Sequence, residues 1–220
     1  MPRVKLQVLL LALFLLAGAL SPKTGFAAGT DPFDPRVHAA LGKMGAEMRD
    51  LLSWGDEVPG SVLATLWAWP AEKQRQAAAL ALHVRSVNAR LTPRAAWRIG
   101  AAFVVASVRF SLPLDLAVGV ARAESCFNPA ALSRAGATGV MQVMPDLHHD
   151  LLALRFGAPE EWSLVDPEKA VLAGSFLLAG YLGEEKTVEG ALTRYLGAFD
   201  GSYQDRVARY RAEAVQALGR

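Results

Sequence analysis

From residue 28 onward the sequence predicts an all-α protein. The patterning of apolar residues is helical along most of the chain. Alternating β-type runs bounded by hairpin turns are missing, and Pro, Ser and Thr stand where helices would start and stop. The chain has 220 residues, 52% of them hydrophobic, enough to bury one or two cores. Gly and Pro contents are ordinary, and no internal repeat or low-complexity tract interrupts the pattern.

Taken in order, "AGTDPFDP" (28–35) is a turn-rich linker. Residues 37–52 read as a first helix, weakened by Gly42 and Gly45. Pro59 opens a short helix through Trp69, and Pro70 stops it. Trp67 and Trp69 could stack on a sugar, but packing residues are the commoner meaning of such a pair. Residues 70–91 form a stronger helix, with Pro70 at its start, Glu72 in its first turn and Ala79, Leu80, Leu82, Val84 and Val87 on its apolar side. Thr92 caps the next helix with Pro93 at its first position, and Trp97, Ile99, Phe103 and Val104 run along it toward Arg109. Ser111 is the expected cap of a helix from about Pro113 to Glu124 or Ser125. A short helix over 139–144, capped by Thr138 and stopped before Pro145, is expected after it.

The N-terminus is of another kind. Arg3 and Lys5 precede an apolar run over 6–20, followed by Ser21, Pro22 and a small-residue exit at Gly25-Phe26-Ala27. This is the layout of a signal peptide cleaved after Ala27, which predicts export to the periplasm or cell envelope. The run is shorter than the ~20 residues of a spanning helix, although an uncleaved membrane anchor is the alternative. The charge balance supports setting this segment apart. Arg3, Lys5 and Lys23 are three of the 23 basic residues; without them 20 bases face 21 acids, and the +2 of the whole chain becomes −1. A near-neutral chain offers no electrostatic footprint for nucleic acid. The division expected is therefore a signal peptide (1–27), a helical N-terminal region (28–91) and a second domain (92–215).

One residue breaks the pattern. Ala117, Val120, Ala121 and Glu124 share a helix face, so Glu124 lies on the core side at the negative end of a helix. Burial and the helix dipole both favour its protonated form, which suits a general acid. The alternative is a Glu that bends to solvent or pairs with a cation such as Arg134. "SRAGATG" (133–139) then brings two glycines that let backbone approach a ligand, with Gln142 and Met144 close behind. A cleft with one acid, one amide and flexible apolar lining suits a neutral, polar polymer. Cys126, the single cysteine, is expected as a small buried hydrophobe. "DLHHD" (146–150) has no accompanying ligand pattern, so a solvated helix start is expected there and no metal or cofactor.

Glu124-Ser125, Asn128-Pro129, Ser133 and "GATGVMQVMP" resemble the signature of the soluble-type lytic transglycosylases, a lysozyme-like family similar to goose-type lysozymes. Only Val140 replaces the family's usual Leu in that run. "DPEKAVLAGSFLLAGYL" (166–182) and "ALTRYLGAFDGSYQDRV" (191–207) resemble two later family stretches, the second including a Tyr before basic residues. The resemblance covers about residues 92–211. It departs at Leu196 and Ala170, where the family usually has Asn, and at Leu177, where it usually has Tyr.

The resemblance implies a lysozyme-like helical domain that cleaves peptidoglycan. Glu124 would be the sole acid and base. Ser133, Gln142, Met144 and Tyr195 would line the sugar subsites, with Tyr195 hydrogen-bonded near the acid. Ser125, Gly139 and Met141 would support the site. Glu124 would protonate the oxygen between N-acetylmuramic acid and N-acetylglucosamine, then take the proton of the sugar's 6-hydroxyl as a 1,6-anhydro ring closes. A water-using lysozyme is the nearest alternative, and a decayed glycan-binding scaffold, marked by Leu196, is the other. The implied setting is a monomer acting on glycan strands, alongside envelope secretion or conjugation machinery.

Overall fold

The computed structural model describes residues 31–219, so the leader expected over 1–27 lies outside the described residues. Nine α-helices and two short 3-10 segments are present among them, with no strand beyond two isolated bridges. None of these helices is long and apolar enough to cross a membrane.

The expected first helix is two. α1 (Pro35–Lys43) and α2 (Met48–Asp56) are separated where Gly45 takes φ +71°. The amide of Ala46 folds back on the Leu41 carbonyl, and Glu47 and Asp50 box the start of α2. The segment after Pro59 is a 3-10 turn, Val62–Ala68, with Trp69 buried and Trp67 half-buried against the core. α3 (Ala71–Val87) packs along α4 (Pro93–Phe110). The two approach closely because Gly100 has no side chain: a Cβ there would fall 2.7 Å from the Ala81 amide nitrogen. Thr92 caps α4 through a hydrogen bond accepted from the Ala95 amide.

α5 (Leu114–Ser125) carries Glu124. Ser111 does not cap it. That residue instead ends α4 in the left-handed region at φ 53°, and an extended Pro113 leads into α5. α6 (Pro145–Phe156) follows the loop after α5, and a 3-10 turn (Pro159–Trp162) leads on to α7 (Pro167–Glu185), capped by Asp166. α8 (Val188–Leu196) and α9 (Gly201–Ala217) complete the chain, and α9 lies against α5. Their contact is again a glycine: a Cβ on Gly119 would meet Arg211 Cγ at 2.7 Å. Asp115 accepts from Arg211 at 2.8 Å, Arg122 pairs with Glu213, and the Arg122 guanidinium lies over the Tyr210 ring at 4.2 Å.

Buried apolar side chains form one cluster that runs from the N-terminal helices, with Val37, Leu41 and Leu80, through Trp97 and Phe103 of α4 to Val207 and Ala214 of α9. A buried polar network crosses the same boundary. Glu168 is 4% exposed and Arg98 8%. Arg98 Nε donates to Glu168 Oε1 at 2.7 Å, and its Nη2 donates to Asp166 Oδ2 at 2.6 Å. Ser61 Oγ donates to the same Glu168 oxygen at 2.7 Å, and the Val62 amide reaches the other at 3.0 Å. Residues on both sides of Thr92 therefore satisfy one buried carboxylate.

The candidate active site

Residues 139–144 are not a helix. Thr138 exchanges both backbone hydrogen bonds with Val143, at 2.9 and 3.1 Å, and also bridges Leu132. Those groups are therefore turned across the loop, and Gly139 and Gln142 both have positive φ, +78° and +49°. The loop is pressed against the segment before α7, and a Cβ on Gly139 would sit 2.0 Å from the Leu164 carbonyl oxygen. Only glycine fits there.

Ser125 fastens this loop to the end of α5. Its hydroxyl donates to the Val140 carbonyl at 2.6 Å and accepts from the Asn128 amide at 3.0 Å. α5 stops because Cys126 and Phe127 both adopt left-handed backbone, at φ 51° and 61°. That turn buries Phe127 beside Phe103 and leaves Cys126 exposed, contrary to the buried thiol expected from composition. Asn88, from the α3–α4 connection, donates to the Cys126 carbonyl at 3.1 Å. Within the loop, Ser133 Oγ accepts from the Ala137 amide at 3.0 Å. The Gln142 amide nitrogen donates to the carbonyls of Ala131 and Gly139. Met144 is half-buried at the start of α6.

Met141 is the buried pin of the loop. It lies over Gly174 of α7, where a Cβ would clash with Met141 Cβ at 2.6 Å and with the Tyr195 hydroxyl at 3.0 Å. Tyr195 donates to the Met141 carbonyl at 2.8 Å. The residue that touches the acid is Tyr203 of α9, whose hydroxyl donates to Glu124 Oε1 at 2.5 Å. Tyr195 thus holds the loop and Tyr203 holds the acid, a division the sequence reading missed. The available signal was the later Tyr before basic residues in the 191–207 stretch, together with its spacing of four from Val207, which puts both on the buried face of α9.

Glu124 is half-buried on the Ala117–Val120–Ala121 face. Burial pushes its carboxyl above the usual carboxylate range; the Tyr203 hydrogen bond and the Arg206 charge act the other way without cancelling it. Burial and the neighbouring carboxylate push the Tyr203 hydroxyl far up, so it remains a proton donor to Glu124. No second carboxylate is among the groups that set the proton affinity of Glu124. Among the described residues no group of three His, Cys, Asp or Glu could hold a metal ion. His149 instead meets Asp150 at 3.2 Å and turns its ring edgewise to Trp162.

Residues 101–206, which contain Glu124, the loop, Tyr195, Tyr203 and Arg206, match the family described as Transglycosylase SLT domain. That segment, just under half of the chain, is similar to the SLT domain family. Curated proteins named membrane-bound lytic murein transglycosylase C are similar to it. The one from Edwardsiella ictaluri is 30% identical over 120 residues, 51% of this chain and 33% of that protein. The one from Pectobacterium atrosepticum is 32% identical over 121 residues, 52% of this chain and 34% of that protein. The one from Actinobacillus succinogenes is 40% identical over 76 residues, 33% of this chain and 21% of that protein. The match thus spans about a third or less of the length of these relatives. No solved structure matches the chain at a significant level. The SLT family boundary falls inside α4, so α1 to α3 and Arg98 lie outside the matched segment while sharing its core.

Proposed function

We propose that the protein is an exported peptidoglycan lytic transglycosylase that cleaves the bond between N-acetylmuramic acid and N-acetylglucosamine with formation of a 1,6-anhydro end. The observation that carries this reading is a lone, half-buried carboxyl with raised proton affinity, held by one hydroxyl. Glu124 protonates the bridging oxygen, and the glycosidic bond breaks. Its carboxylate then accepts the proton of the 6-hydroxyl, whose oxygen bonds to the anomeric carbon, and the acid is restored. One group serves both steps, so its proton affinity must suit giving and taking. Ser133, Gln142, Met144 and Tyr195 line the sugar subsites in this reading, and Ser125, Gly139 and Met141 keep the loop in register with the acid. The protein acts as a monomer on glycan strands, in an envelope where secretion or conjugation machinery needs the wall opened.

Mass spectrometry of products from purified sacculi tests this. Muropeptides ending in 1,6-anhydro-N-acetylmuramic acid are expected. Reducing ends, heavier by one water, would move the protein to the lysozyme reading, and no release at all would leave the decayed scaffold marked by Leu196.

Tyr203 supplies a separate test. Tyr203→Phe removes the hydrogen bond that favours the ionised acid, so the Glu124 carboxyl should shift further upward. The alkaline limb of the pH–rate profile should move to higher pH, and turnover should fall by roughly tenfold or more, as expected for a hydrogen bond to a charged group. An unmoved alkaline limb would remove Tyr203 from any role in tuning the acid.

A further inference from the structure

Most aromatic side chains of the described residues are buried or half-buried, but Phe199 is 66% exposed and is the one aromatic in the exposed class. It stands on the four-residue connection between α8 and α9. Both ends of that connection are fixed to the site described above. On one side Tyr195 is bonded to the Met141 carbonyl, and on the other Tyr203 is bonded to Glu124. Phe199 is four residues from each, within ~14 Å of extended chain.

The connection itself is tied down. Gly197 closes α8 at φ +84°. Asp200 Oδ1 caps α9, accepting from the Ser202 and Tyr203 amides at 2.9 and 3.2 Å and from the Ser202 hydroxyl at 2.7 Å. Phe199 is therefore presented to solvent by a hydrogen-bonded turn. Leu196, the last residue of α8, is also exposed, at 40%.

We propose that Phe199 is a stacking platform for a sugar ring of the glycan strand next to the bond that Glu124 cleaves. This rests on the glycan-cleaving reading above. The chemistry fits one occupant. A pyranose presents an apolar C–H face to a ring and keeps its hydroxyl and acetamido groups outward in water. Phe199 stands midway between the two tyrosines bonded to the Met141 carbonyl and to Glu124, which keeps it within reach of a strand bound at the acid. Sugar sites commonly pair an apolar floor with a few placed polar groups, and here the polar groups come from the 131–143 loop.

The test is co-sedimentation of the Glu124→Gln protein, which binds without cutting, with glycan strands freed of peptide by an amidase and with intact sacculi. Adding Phe199→Ala should weaken binding to both by roughly tenfold, the size expected for losing one aromatic contact. Phe199→Trp should restore it. The side chain is exposed, so thermal unfolding should not move. Unchanged binding of Phe199→Ala to peptide-free strands overturns the platform, and so does a loss confined to intact sacculi, which would make the occupant the stem peptide. A failure of the glycan-cleaving reading looks different: the wild type would release nothing from sacculi, whether or not the Glu124→Gln protein sediments with them.

Discussion

Glu124→Gln should reduce release of muropeptides from sacculi by at least ~10²- to 10⁴-fold, the range for losing one general acid–base group. The loss should reach the upper part of that range, because in the proposed mechanism the same carboxyl acts twice. The fold should survive, with a pH dependence that differs from that of the wild type. The wild-type carboxyl has a folded pKa above its ordinary value of 4.5, so the folded state binds that proton more tightly than the unfolded one. The wild type therefore loses stability as pH rises from about 4.5 through the raised value, and the Gln variant has no such loss. Thermal unfolding should find the variant equal to the wild type below pH ~4.5 and more stable at neutral and alkaline pH. The amide can still accept from Tyr203. An active Glu124→Gln protein, scored by the mass of its products, would defeat both the transglycosylase and the lysozyme readings.

The second large effect is structural. Arg98→Ala removes the cation that Glu168 and Asp166 share. Breaking a buried ion pair by deleting one partner typically costs about 3–5 kcal/mol. For a chain of this length that corresponds to a drop in Tm of about 10 °C or more. The damage should be wide. Ser61, Val62 and the first turn of α7 all bond to the same two carboxylates. Urea unfolding of the variant checks the size, and a loss under ~1 kcal/mol would mean that water or side-chain rearrangement neutralises the pair.

The helices around the acid were legible because their signals are local. Thr92 and Pro93 start α4 as expected, and the Ala117–Val120–Ala121–Glu124 face lies on a helix that ends at Ser125. The resemblance placed Ser125, Gly139, Met141 and Tyr195 in one neighbourhood, and hydrogen bonds and close packing connect them in the structure. What failed needed three dimensions. Residues 139–144 have helix-compatible side chains, but Gly139 must pass within contact of Leu164 and Thr138 pairs across the turn. The Cys126 exposure follows from two successive left-handed residues, which no composition argument would assign to Cys and Phe. Tyr195 and Tyr203 are equally polar and aromatic, and only the approach of α9 to α5 decides which one meets Glu124.

The network that joins Ser61 and Arg98 to Glu168 bears on how this protein could be inherited or transplanted as a module. A recombination break at the edge of the recognisable family segment, residue 101, would cut within α4 and carry Glu168 and Asp166 away from Arg98. It would also leave behind Asn88, which steadies the turn after the acid. The smallest heritable cassette is therefore larger than the segment that similarity outlines, because the upstream helices complete the core and the buried ion network of the part that carries Glu124.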